Sequence, residues 1–209
     1  MKLLIRLLCA VLLAACLSGG AHAEEDNAVR DAFRGLEKRY SLLQERLNNA
    51  TAALERIASL MPGRDLKGPL ADYSRNLEKF DSLNKTLPDS LSDFNERLAA
   101  RYDAWRQQIG EIRSPVIRDL ATKQLADRQA QFQLLNKDIA ATEAKIGPLI
   151  GQMRDVESYL KAALTPASVE ALAAPLQETA GMAKEAQRSM AALKGVFAQS
   201  RGALSTTPE

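Results

Sequence analysis

Two cysteines, one histidine and one tryptophan are all that the 209 residues contain of those types, and aromatic residues make up 5% of the chain. Both cysteines, Cys9 and Cys16, and the histidine, His22, lie near the start. Should that segment be removed, the remainder has no disulfide, no thiol nucleophile, no imidazole base and none of the usual zinc sites. The Glu-x-x-His pairs of di-iron bundles cannot form in it. No glycine loop followed by lysine is present to cradle a phosphate. No window alternates polar and apolar residues with the period of a strand. Long apolar runs are scarce as well: residues 7–17 carry no charge, but a membrane span wants about 20 such residues.

What the first residues do have is the pattern of an export signal. Lys2 and Arg6 precede the apolar run, Ser18-Gly19-Gly20 should break it, and Ala21-His22-Ala23 offers small-x-small cleavage ahead of Glu24. A second processing route competes. Leu13-Ala14-Ala15-Cys16 resembles a lipobox, in which Cys16 would be lipidated and become the first residue. The expected organisation is therefore a signal peptide over 1–23 (or 1–15 with lipidation), one helical domain over 24–204 and a disordered tail over 205–209. Either route predicts a periplasmic protein, the second as an outer-membrane lipoprotein held to the membrane by its lipid alone.

Cleavage after Ala23 removes Lys2 and Arg6, leaving 26 of the 28 basic residues against 26 acidic ones. A balanced surface argues against nucleic acid, whose binders need a basic field to displace counterions, and against a polybasic membrane patch. About 185 residues are ample for one core.

That core is written in helical periodicity. Val29, Phe33, Leu36, Tyr40, Leu43, Leu47, Ala50, Leu54, Ile57 and Met61 step by four and three residues without a miss, the seam of a helix packed along its length. The spacing predicts a helix over 26–61, ended by Pro62-Gly63. Leu70, Tyr73, Leu77, Phe80 and Leu87 carry a second stripe to Pro88. Leu91, Phe94, Leu98, Tyr102, Trp105, Ile109 and Ile112 resume it, as two helices nearly in line or one kinked helix, with Asp89 or Ser90 available as a cap. Trp105 sits on the stripe and reads as core. Ser114-Pro115 starts the next helix, with Val116, Ile117 and Leu120 leading into it across a polar patch.

The segment over 132–164 is the one the others are arranged around. Phe132, Leu135, Ile139, Ile146, Leu149, Met153, Val156 and Leu160 form one stripe, with Thr142 in its single polar slot. Asp138, Glu143, Lys145, Gln152, Arg154, Asp155, Glu157 and Lys161 between them belong in water. Pro148, between Gly147 and Gly151, should bend this helix or mark a close crossing. Thr165-Pro166 caps the last helix, with the seam Val169, Leu172, Leu176, Thr179, Ala183, Ala186, Met190, Leu193 and Phe197, a further kink at Pro175, and fraying from Ser200. The whole predicts an all-α, elongated antiparallel bundle or coiled coil of three to five long helices.

Several of these residues carry a resemblance. Ile112, Arg118 and Leu125, then Lys145-Ile146-Gly147-Pro148-Leu149, then Asp155-Val156-Glu157-Ser158-Tyr159-Leu160-Lys161-Ala162-Ala163-Leu164 resemble an uncharacterised family of exported bacterial helical proteins, a domain of unknown function. The resemblance spans 105–197, under half the chain, and implies fold and export without any activity. The family pattern continues its Tyr-Leu-Lys with histidine and asparagines; here Lys161 is followed by Ala162-Ala163-Leu164-Thr165, so any role of those polar residues is missing.

No catalytic, cofactor or metal residue is expected. Glu55, Glu78, Glu96, Glu111 and Glu143 fit solvated helix faces, and Met153, Met182 and Met190 fit core filler better than a soft-metal site. The first function class is a non-enzymatic envelope scaffold that pairs with itself or another protein. The alternative is a chaperone-like or adaptor module holding a client in a helical groove. A third is a small-molecule carrier, its cavity at the small-residue seam from Thr179 to Ala186.

Overall fold

A computed structural model describes residues 20–59 and 65–205, without the side chains of 20–25, 203 and 205. The described residues are almost entirely helical, without a strand: α1 (Gly20–Ala58), α2 (Lys67–Lys85), α3 (Leu87–Glu111), α4 (Pro115–Ala162), the short α5 (Pro166–Ala171) and α6 (Ala173–Ser205). The fold is all-α. Every predicted seam residue that α1 contains is at most 4% exposed, and Phe132, Leu135, Ile139, Ile146, Leu149, Met153, Val156 and Leu160 on α4 are at most 3% exposed. Threonines fill polar slots in these seams by donating into their own helix: Thr51 to the Leu47 carbonyl at 2.9 Å, Thr142 to Asp138 at 2.8 Å and Thr179 to Pro175 at 2.7 Å. A buried hydroxyl satisfied this way avoids the penalty of an unmade bond.

Helix boundaries differ from the expectation where proline acts at a distance. α1 ends at Ala58 rather than Met61, and Gly20 is helical, while Ser18, Gly19 and the run before them lie outside the described residues. Cys16, Met61 and the Pro62-Gly63 turn lie outside the described residues, while the backbone at Ala23 and Glu24 is helical. The Asp65 carboxylate accepts from the Lys67 amide at 2.9 Å and so serves the start of α2. The stripe broken by Pro88 is two helices, and the break is at Thr86, two residues before the proline. Pro88 removes an amide and its ring crowds the carbonyl four residues back, so the chain turns upstream and neither Asp89 nor Ser90 is a cap. Pro175 acts likewise: the expected single last helix is interrupted at Leu172, dividing α5 from α6.

Pro115 and Pro166 do open helices, the latter capped by Thr165, whose hydroxyl accepts from the Ser168 amide at 3.1 Å. α4 continues through Pro148. Gly147, Pro148 and Gly151 are exposed, and a side chain added at either glycine would meet nothing within 4 Å, so they mark no close crossing. Val116 and Leu120 are 70% and 45% exposed rather than core. Ser200 is buried within α6, which continues to Ser205.

The chain divides into two compact units. The first takes in residues up to Leu36, Asp89–Asn136 and Val196 onward. Its core joins four phenylalanines from four helices: the Phe33 ring centre lies 5.6 Å from Phe94, 6.3 Å from Phe132 and 5.6 Å from Phe197, and Phe94 lies 5.8 Å from Phe132. In this unit α3 runs antiparallel to α1, since Asp26 meets Arg101 and Phe33 meets Phe94. α6 is antiparallel to α1 as well, with Arg30 donating to the Leu204 carbonyl and Phe33 against Phe197. Asn136 donates to Asn95 at 3.0 Å across α4 and α3.

The second unit takes in Glu37–Pro88 and Lys137–Gly195. Here the seams are tied by tyrosines. The Tyr40 hydroxyl donates to Glu143 at 2.7 Å and that of Tyr73 to the Met153 carbonyl at 2.7 Å; burial above all pushes both phenols well above their usual pKa. Two acids read as solvent-facing are not: Glu143 is half-buried beneath Tyr40, and Glu157 is 8% exposed with Lys161 donating to it at 2.6 Å. Asp81 is 5% exposed and takes Arg154 from α4 and, at 3.0 Å, Lys85 from its own helix. Burial pushes the Asp81 carboxyl up, but the bonds and charges of Arg154 and Lys85 outweigh it and hold the pKa below the usual range. Glu157 follows the same logic, with burial offset by Lys161 and the charge of Arg154.

Candidate ligand-binding cavity

Most of the seam residues meet in packed cores. Leu43, Leu47, Ile57, Ile139, Ile146, Leu149, Leu160, Met190 and Leu193 are at most 4% exposed in the second unit, and Phe33, Phe132 and Phe197 close the core of the first. Trp105 is the exception. It is half-buried, packed with Tyr102 and Ile112 against Ile109, Ala121 and Leu125, with the Arg128 guanidinium 5.0 Å from the ring centre.

At one place the helices of the second unit leave a cleft open to solvent. Thr51, Leu54, Glu55 and Ala58 of α1, Met153 of α4, Pro166, Ala167, Val169 and Glu170 of α5, and Ala173, Leu176, Gln177, Thr179, Ala180 and Ala183 of α6 surround a cavity of about 700 Å³. Leu66, just ahead of α2, completes the described lining. The local sequence explains the space. Where the seams of α1 and α4 carry leucine, isoleucine and phenylalanine, the facing stretch of α6 carries Thr179 and Ala183. The break at Leu172 also makes α5 a separate short element over the site rather than one more turn of α6.

The interior of the cavity is apolar in effect. Thr51 and Thr179 spend their hydroxyl protons on carbonyls of their own helices, so neither offers a donor to a guest. Leu54, Leu66, Met153 and Leu176 are at most 8% exposed. The remaining polar lining, Glu55, Glu170 and Gln177, is exposed to solvent. An open, mostly apolar cleft of this size with polar groups at its rim has the dimensions of a small-molecule site, about 300–1,000 Å³. Among the described residues no group of three or more histidine, cysteine, aspartate or glutamate side chains is placed to hold a metal ion.

Of the seam residues singled out from sequence, Leu54, Met153, Val169, Leu176, Thr179 and Ala183 line this space. The small positions at Thr179 and Ala183 were the one readable signal of it. Glu55, Glu170 and Gln177 gave none, because they belong to three helices whose meeting depends on the turns between them.

No described helix is long and apolar enough to cross a membrane. No curated protein matches the chain, and no solved structure does. The match to a family described as "Protein of unknown function (DUF2959)" covers residues 28–202, taking in the first helix as well as the stretch from 105 to 197. The chain therefore belongs to this family of unknown function.

Proposed function

We propose that this is a non-enzymatic binding protein of the cell envelope whose second unit holds an apolar molecule of small-molecule size, with the guest's polar end toward Glu55, Glu170 and Gln177. The cavity between α1, α4, α5 and α6 carries the reading. A concave, mostly apolar cleft of about 700 Å³ with polar groups at its rim is the form that small-molecule sites take. Export rests on the pattern of residues 1–23, and mass spectrometry of the mature amino terminus tests it: a free Glu24 means cleavage, a lipidated Cys16 an anchored form.

The binding reading is tested by titrating the processed protein with the neutral dye N-phenyl-1-naphthylamine. Saturable fluorescence enhancement is expected, weakened at least tenfold in Ala180→Phe, which places a ring in the cavity, and unchanged in Val116→Ser on the first unit. No saturable enhancement, or equal affinity in a folded Ala180→Phe protein, overturns the proposal. The scaffold reading draws support from Val116 and Leu120, exposed one turn apart on α4. Sedimentation equilibrium at micromolar concentration tests it, with a dimer dissociated by Val116→Ser as its expected result.

A further inference from the structure

The rim of the cleft in the second unit follows one pattern on three helices. Leu54 is followed by Glu55 on α1, Val169 by Glu170 on α5 and Leu176 by Gln177 on α6, and all six residues line the space. The first of each pair belongs to the wall: Leu54 and Leu176 are at most 8% exposed, and Val169 is half-buried. The second of each pair is exposed. A guest seated on the apolar wall therefore meets three polar side chains at its outer end. Two of them are carboxylates, brought to the same rim by different helices.

Those groups sort guests by head group. A carboxylate accepts hydrogen bonds and donates none, whereas the Gln177 amide can do either. Thr51 and Thr179, buried in the lining, have committed their hydroxyl protons to Leu47 and Pro175 and add only acceptors. The described polar side chains of the lining thus offer acceptors and negative charge, with the Gln177 amide as their one donor. An ammonium or guanidinium head brings the donors and the charge that such a rim takes. A fatty acid or an alkyl phosphate brings a like charge to the same place, which is repelled. Exposed glutamates are ordinary on helix faces; what sets these two apart is that both border one apolar cleft of about 700 Å³.

We propose that the cleft takes amphiphiles with a cationic head, their apolar part lying on Leu54, Met153, Val169 and Leu176 and a protonated amine or guanidinium at Glu55 and Glu170. The inference rests on the reading of this cleft as a binding site and names the class of guest. The apolar wall supplies affinity, and the two carboxylates supply the choice of head.

Calorimetric titration of the processed protein with two guests that share a decyl-length chain, decylammonium chloride and sodium decanoate, isolates the head group. Each is used at neutral pH and below its micelle concentration. Decylammonium should bind saturably and at least tenfold tighter than decanoate, and its affinity should fall as sodium chloride is raised from about 20 to about 200 mM, which shortens the screening length. Glu55→Gln combined with Glu170→Gln, both at exposed positions where substitution leaves the fold in place, should bring the ratio to threefold or less. Affinity for the neutral dye N-phenyl-1-naphthylamine should stay within twofold in that variant. Decanoate binding as tightly as decylammonium overturns the proposal, and so does a preference undiminished in the double variant. Saturable dye binding alongside either result refutes the choice of head group alone. No saturable binding of the dye or of either amphiphile refutes the proposed function and this inference with it.

Discussion

Phe33→Ala is the sharpest test of how the first unit is held together. The ring is 1% exposed and touches three others, Phe94, Phe132 and Phe197, one from each of α3, α4 and α6. Truncating a phenylalanine in such a place costs about 3–5 kcal/mol, from lost transfer energy and the cavity left behind. The geometry puts the figure at the upper end. The Phe132 and Phe197 contacts are edge-on, at 85° and 65° between planes, and such pairs add about 0.5–1.5 kcal/mol beyond their buried area. At about 2–4 °C per kcal/mol for a chain of this size, the thermal midpoint should fall by about 6–20 °C. Urea unfolding followed by circular dichroism gives the free energy, with Val116→Ala, at a 70% exposed position, as a control expected within about 0.5 kcal/mol. A double-mutant cycle with Phe197→Ala should return a coupling of about 0.5–3 kcal/mol. A loss below about 1.5 kcal/mol for Phe33→Ala, or no coupling, would mean that the four helices do not share this core.

Leu47→Asp should unfold the protein outright, because Leu47 is wholly buried and a charge taken out of water there is costly, whereas Glu45→Gln, at a side chain 60% exposed, should leave the melt unchanged; equal effects would refute the helix register. Acid should weaken the second unit in a definite window. Asp81 and Glu157 have folded pKa values below their ordinary ones, so their contribution is complete above the unfolded values of about 4 and is lost as pH falls through the folded ones. Urea midpoints from pH 7 to pH 3 should drop, and drop less in Asp81→Asn, which is itself about 1–3 kcal/mol less stable at pH 7. An identical acid profile in both proteins contradicts that assignment.

Helical class and the buried side of each long helix were legible in the sequence, because both are properties of spacing along a single chain. Three- and four-residue steps put Val29 through Ile57 on one side of α1 whatever α1 packs against, and Thr142 could be read as a polar slot in a seam. Pro115 and Pro166 were legible in position as helix starts, but Pro88 and Pro175 only in kind: each interrupts the helix upstream, where the missing amide and the crowded carbonyl take effect.

Tertiary structure alone decided the rest. Glu157 looks solvent-facing by its spacing and is buried because of what packs beside it. Asp81 and Arg154 lie 73 positions apart, as do Arg101 and Asp26 at 75, and no local pattern pairs them. The cavity is a volume left over from four helices, set by small side chains on α6 together with the break at Leu172. Periodicity assigns each helix a greasy side; only packing settles which residues from distant helices meet there, and where they fail to fill the space between them.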